Sequence, residues 1–231
     1  MLQHFARAVA QLNDRSFQRV LWLGLAGALI AFVIAFAAAK WALGFAVAAD
    51  WGWLDGVLDW LLQWSIVPLF LISAYFFFPS VATGIMAAFL DDVVDAVEQR
   101  HYPGHVARRH FGLIEGAWLG LRMAAIILLW NLAALPLYAV LLITGFGPVI
   151  LFVALNGYLL GREYLEMVAL RHMDAAAAKA WRRSRRVEVF LLGLAATGLF
   201  LIPLVNLFAP LIAAAMAVHL FHANRPVPAA P

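Results

Sequence analysis

The chain contains no cysteine. That excludes disulfides, thiolate metal sites, iron–sulfur clusters and cysteine nucleophiles, and it leaves the compartment open. Charge is also scarce, with Asp, Glu, Lys and Arg making up 13% of the 231 residues. The signatures of familiar active sites are missing too. No HExxH, Walker A or GxSxG arrangement occurs, so zinc-hydrolase, P-loop and serine-hydrolase chemistry are not expected. We expect no catalytic residue, no cofactor and no metal site. The arginines come with no recognisable nucleic-acid module, so nucleic acid is not expected as a partner.

What the chain has in excess is apolar surface. Hydrophobic residues make up 65% of it and the mean hydropathy is +0.89. A soluble domain sits near half apolar, and 231 residues offer too little interior to hide the surplus. The expected partner is therefore the lipid bilayer. Backbone groups in lipid must be satisfied internally, and the expected class is an all-α integral membrane protein. A net charge of +3 and a pI near 9.6 suit anionic headgroups.

Residues 1–222 read as one membrane domain and 223–231 as a disordered Pro/Ala-rich tail. Residues 1–19 read as a polar, weakly amphipathic N-terminal helix holding Arg7, Arg15 and Arg19. A long transmembrane helix follows over 20–46, uncharged except for Lys40. Ala46-Val47-Ala48 resembles a signal-peptidase site, but the apolar run before it is far longer than a signal h-region. Trp51, Trp53, Trp60 and Trp64, with Asp50, Asp55 and Asp59, mark an interface. The second long helix spans 61–90, with Pro68 and Pro79 as kink points. The basic residues concentrate at the N-terminus, near 91–110, at 162–186 and in the tail. Positive-inside counting puts the N- and C-termini in the cytoplasm.

The second half is organised around the stretch from Gly145 to Asn206. Two apolar arms, Pro148–Leu160 and Val189–Ile202, flank a basic platform over 161–188. Each arm is about 20 Å long as a helix, short of a hydrocarbon core of about 30 Å. Residues 162–186 hold seven basic side chains (Arg162, Arg171, Lys179, Arg182, Arg183, Arg185, Arg186) against three acidic ones (Glu163, Glu166, Asp174). The reversals at Thr144–Pro148 and Ile202–Asn206 carry no charge, as a loop buried at membrane depth would not. Two helical hairpins, 124–160 and 189–221, are therefore expected to penetrate the bilayer only in part. His172-Met173-Asp174 reads as a helix break with Asp174 as N-cap.

An ordered set of short motifs runs through this half: Gly145-Phe-Gly-Pro148, Asn156-Gly-Tyr-Leu-Leu-Gly-Arg-Glu-Tyr164, Glu166, Arg171-His172, Phe190-Leu-Leu-Gly193, Ile202-Pro-Leu-Val-Asn206 and Ala209-Pro210. Their order and spacing resemble the CysZ-type sulfate permeases and the related etoposide-induced-protein-like membrane family. The resemblance implies a bacterial inner-membrane protein with long helices and half-inserted hairpins. It also implies a homo-oligomer passing sulfate into the cytoplasm for cysteine synthesis. The family's sulfate-contacting turn, Pro-Gly-Leu-Arg-Arg-Phe-like, falls here on Arg15-Ser16-Phe17-Gln18-Arg19-Val20. Arg19 matches the second arginine; Gln18 stands for the first, Ser16 for the glycine and Arg15 for the proline.

The resemblance makes Arg15, Ser16, Gln18 and Arg19 the candidate anion site, where helix-start amides and guanidinium groups address one space. Arg182, Arg183, Arg185 and Arg186 form a second basic cluster, suited to anions or acidic headgroups and equally to positive-inside topology. Glu115 with Arg122, and Arg162 with Glu166, are spaced for structural ion pairs on a helix face. His219 and His222, and His101 and His105, have metal-like spacings. The first pair is expected to lie at a membrane exit with no nearby carboxylate, and Pro103-Gly104 keeps the second off a helix. Two functions fit: an oxyanion permease working without nucleotide hydrolysis, or a non-transporting membrane scaffold of the same fold.

Overall fold

The computed structural model describes residues 1–47, 55–106 and 113–225. The turn around Trp51 and Trp53, the side chain of Glu115 and the tail beyond Arg225 lie outside them. Among the described residues there are nine α-helices and no strand. They are α1 (Leu2–Ala10), α2 (Arg15–Val47), α3 (Asp55–Ala87), α4 (Leu90–His101), α5 (Leu113–Leu141), α6 (Gly147–His172), α7 (Ala175–Ser184), α8 (Arg186–Leu201) and α9 (Ala209–Ala223). The chain divides into two compact units, Arg19–Phe89 and Met1–Gln18 with Leu90–Pro231.

Three helices are long and apolar enough to cross a membrane, over Arg15–Ala42, Trp64–Ala87 and Gly120–Thr144. At 1.5 Å per residue they reach roughly 36–42 Å, more than a hydrocarbon core of about 30 Å. Their side chains turn outward: Leu29, Val33, Trp64, Leu69, Leu128 and Leu129 are all exposed. Outward-facing apolar surface of this extent, on helices of spanning length, is that of a membrane-embedded protein.

In the Arg19–Phe89 unit, α2 and α3 run antiparallel. Gly24 lies against Met86 and Ala82, and Phe36 packs on Phe70 with ring centroids 4.7 Å apart. A methyl at Gly24 would come within 2.9 Å of the Ala82 carbonyl oxygen, so the small residue sets how closely the helices approach. Pro68 and Pro79 sit inside α3 without ending it, as lipid-embedded helices tolerate.

In the other unit, three features depart from the expected boundaries. The 1–19 segment is two helices, because the backbone turns after Ala10 and α2 opens at Arg15. Gln18 Nε2 closes that turn by donating to the Leu12 carbonyl at 3.0 Å. The outer arm of the 124–160 hairpin is spanning length, since α5 continues through Pro136, and Asn131 satisfies its amide on the Ile127 carbonyl at 2.8 Å. The return arm and the start of the platform are one unbroken helix, α6, of 26 residues. The platform is thus the end of α6, all of α7 and the start of α8. The second hairpin stays short, with α8 at 16 residues and α9 at 15.

Both hairpin tips are built alike. Gly145 (φ 73°) and Leu204 (φ 67°) each centre a positive-φ γ-turn. The Phe146 amide donates to the Thr144 carbonyl at 2.9 Å, and the Val205 amide to the Pro203 carbonyl at 2.8 Å. Such turns are rare and strained, and proline near the helix start, at Pro148 and Pro210, aims each returning helix.

Candidate functional site: a cationic cavity on the platform

The platform rests on one close helix contact. Gly157 and Gly161 lie a turn apart on α6 and face Gly193 on α8. A Cβ on Gly193 would sit 1.7 Å from the Gly157 carbonyl oxygen, and one on Gly161 2.0 Å from the Val189 carbonyl oxygen. The backbones therefore touch, as small-residue helix pairs allow. The charged end of α6 and the start of α8 are held side by side as a result.

α7 closes the third side. Asp174 caps it, its Oδ1 accepting from the Ala177 amide at 2.8 Å. That removes one of the orphan donors of the helix start. Trp181 is buried and donates from Nε1 to the Asn224 carbonyl at 3.0 Å, which ties α7 to the end of α9.

Between these elements lies a cavity of about 890 Å³. Arg122, Arg162, Lys179, Arg182, Arg183 and Arg186 line it, with Glu166 as the acidic member of the lining. Glu166 accepts from Arg162 at 3.2 Å and from Arg182 at 2.5 Å. Lys179, Arg183 and Arg186 make no ion pair among the described residues. Cationic walls with a surplus of guanidinium donors attract and orient oxyanions. Tyr158, Val189 and Phe190 supply the apolar part of the lining.

The candidate residues are thereby sorted. Arg182, Arg183 and Arg186 line the cavity; Arg185 pairs with Glu188 at 3.3 Å instead. Arg122 lines the cavity, which its spacing from Glu115 did not foretell. At the start of α2, Arg15 and Arg19 are exposed and Ser16 is half-buried. Gln18 spends its amide on the Leu12 carbonyl.

Two polar assemblies escaped the sequence. Arg171 is buried, bonded to Asp91 Oδ1 at 3.0 Å and to Asp95. Histidines from four elements also gather around α9. His222 and His172 both point Nε2 at Glu98 Oε1, at 3.3 and 2.7 Å. This corrects the expectation that His222 lacks a nearby carboxylate: Glu98 is remote in the chain, and the packing of α4 on α9 brings it in. His219 bonds Tyr102 at 3.0 Å, and His4 stacks over His219. Burial, and then the neighbouring Arg100 and Arg7 charges, hold the His101 pKa below the ordinary imidazole value.

The long, apolar, outward-facing helices define a multi-pass helical membrane protein. A family model described as sulfate transporter CysZ/etoposide-induced protein 2.4 matches residues 4–210. The chain belongs to that family. No curated protein matches the chain.

Proposed function

We propose that this protein passes an oxyanion, sulfate first among the choices, across the bacterial inner membrane without nucleotide hydrolysis, feeding cysteine synthesis. The observation that carries the reading is the cavity lined, among the described residues, by six cationic side chains and the carboxylate of Glu166. Anions would collect there and at the start of α2, beside Ser16 and Gln18, where Arg15 and Arg19 offer exposed guanidinium groups. The platform and both termini would face the cytoplasm, and chains would assemble as a homo-oligomer.

A second reading, a non-transporting scaffold, draws on Gln18. Its side chain is turned back to close the α1–α2 turn, so it is not presented to an anion.

Ligand-dependent melting of the detergent-solubilised protein separates the two. Binding to the folded state alone stabilises by mass action, about 2.7 kcal/mol at a ligand concentration 100 times Kd. For a chain of this size that is roughly 5–10 °C. Sulfate is expected to raise Tm by about that much over chloride at equal ionic strength. Replacing Arg183 and Arg186 with Gln should shrink the rise. A scaffold would show equal Tm in both salts.

A further inference from the structure

We propose that Glu98, His172 and His222 form a binding site for a divalent transition-metal ion, Zn²⁺ by preference, that fastens α4, α6 and α9 together. The inference is independent of the transport reading.

The three side chains come from three helices and meet at one point. Glu98 Oε1 lies 2.7 Å from His172 Nε2 and 3.3 Å from His222 Nε2. All three ligand atoms lie within 4.8 Å of one another. Around a tetrahedral ion with ligand bonds near 2.0–2.1 Å, neighbouring ligand atoms are about 3.3 Å apart. The His222–Glu98 separation has that value already.

Two imidazoles and a carboxylate are a donor set that suits Zn²⁺ and discriminates against hard cations such as Mg²⁺ and Ca²⁺. The side chains of Glu98, His172 and His222 are 0%, 5% and 1% exposed. Water therefore competes weakly for the ligands, and a buried carboxylate favours a neighbouring positive charge. The rings are oriented beforehand: Tyr102 stacks on His222 at 4.1 Å and Phe221 on His172 at 4.8 Å. His222 Nδ1 makes no hydrogen bond, so it can carry the ring proton when an ion takes the place of the proton between Nε2 and Glu98. The ring is free to present the Nε2 lone pair to an ion. Three protein ligands leave a fourth position for water.

The site's role would be structural. α4 carries the acidic partners of Arg171, and an ion shared with α6 and α9 would hold that helix in register.

The test uses the full chain in detergent, purified without a polyhistidine tag and stripped with a chelator. Bound zinc is measured by mass spectrometry after Zn²⁺ addition and desalting, and melting is followed alongside. One zinc per chain and a higher Tm are expected. Glu98→Gln and His222→Gln should each weaken binding by about 100-fold or more, and His101→Gln should leave it unchanged. Co²⁺ substitution gives a second readout, since the visible bands of a four-coordinate ion should appear in wild type and vanish in Glu98→Gln. Failure of stripped wild type to take up zinc would overturn the proposal, as would uptake that survives both Glu98→Gln and His222→Gln.

Discussion

Gly193→Ala should lower Tm by roughly 6–12 °C, the equivalent of about 3 kcal/mol in a chain of this size. The added methyl would sit 1.7 Å from the Gly157 carbonyl oxygen, 2.7 Å from the Gly157 carbonyl carbon and 2.5 Å from the Gly161 nitrogen. All three atoms are backbone, so no rotamer change relieves the clash. α6 and α8 must move apart, and that loosens the packing of Leu159, Leu165, Leu192 and Ala196, all buried. In lipid the lost packing has no hydrophobic compensation, because lipid tails are as apolar as leucine. Gly198→Ala is the control. It lies on the same helix with nothing within 4 Å of its would-be Cβ, and a helix-interior Gly→Ala change gains up to about 1 kcal/mol. Opposite signs are therefore expected for two identical substitutions five residues apart. Equal Tm for Gly193→Ala and wild type, by fluorescence-detected melting in detergent, would disprove the backbone contact.

Arg171→Met should cost about 2–3 kcal/mol, discounted from the roughly 3–5 kcal/mol of breaking a fully buried ion pair. The discount arises because Asp91 is half-exposed and keeps part of its hydration. The arginine side chain is 1% exposed and bridges two carboxylates a helical turn apart, Asp91 and Asp95. Methionine fills the space but withdraws the guanidinium from both acids. Arg171→Lys should rescue little, because a single ammonium cannot reproduce the fork that reaches both. Pairing Arg171→Met with Asp95→Asn should recover part of the loss, a departure from additivity of about 1 kcal/mol. Strict additivity would show that the two side chains do not interact.

These two sites mark where the sequence stopped being legible. Local signals carried well. Asp174 was readable as a cap because its partner, the Ala177 amide, is three residues on. The tight reversal at Thr144–Pro148 was readable because it is uncharged and holds Gly145, which takes the positive φ. The membrane class followed from composition alone. What was missed depends on which helix packs on which. Gly157, Gly161 and Gly193 stood in the quoted motifs, yet only the α6–α8 register makes them a contact. Arg171 reads as one more platform arginine until α4 delivers Asp91 and Asp95 from about 80 residues away. Glu98 meets His222 across 124 residues. Arg122, spaced to pair with Glu115, also lines the cavity with Arg162 and Arg182, a role that only the packing of the helices reveals. The boundaries that shifted lie where propensity and tertiary support compete: the chain leaves the helix between Ala10 and Arg15, while α5 runs straight through Pro136, as lipid-embedded helices tolerate.

Oxyanion passage is tested most directly by labelled-sulfate uptake into proteoliposomes. Wild type would be measured beside Arg19→Ala and a combined Arg183→Gln, Arg186→Gln variant. Uptake above empty vesicles is expected, reduced about tenfold or more by removing the guanidinium groups, the loss anticipated for charge-assisted hydrogen bonds. Correctly inserted wild-type protein that admits neither sulfate nor phosphate, molybdate or selenate would contradict transport and leave the scaffold.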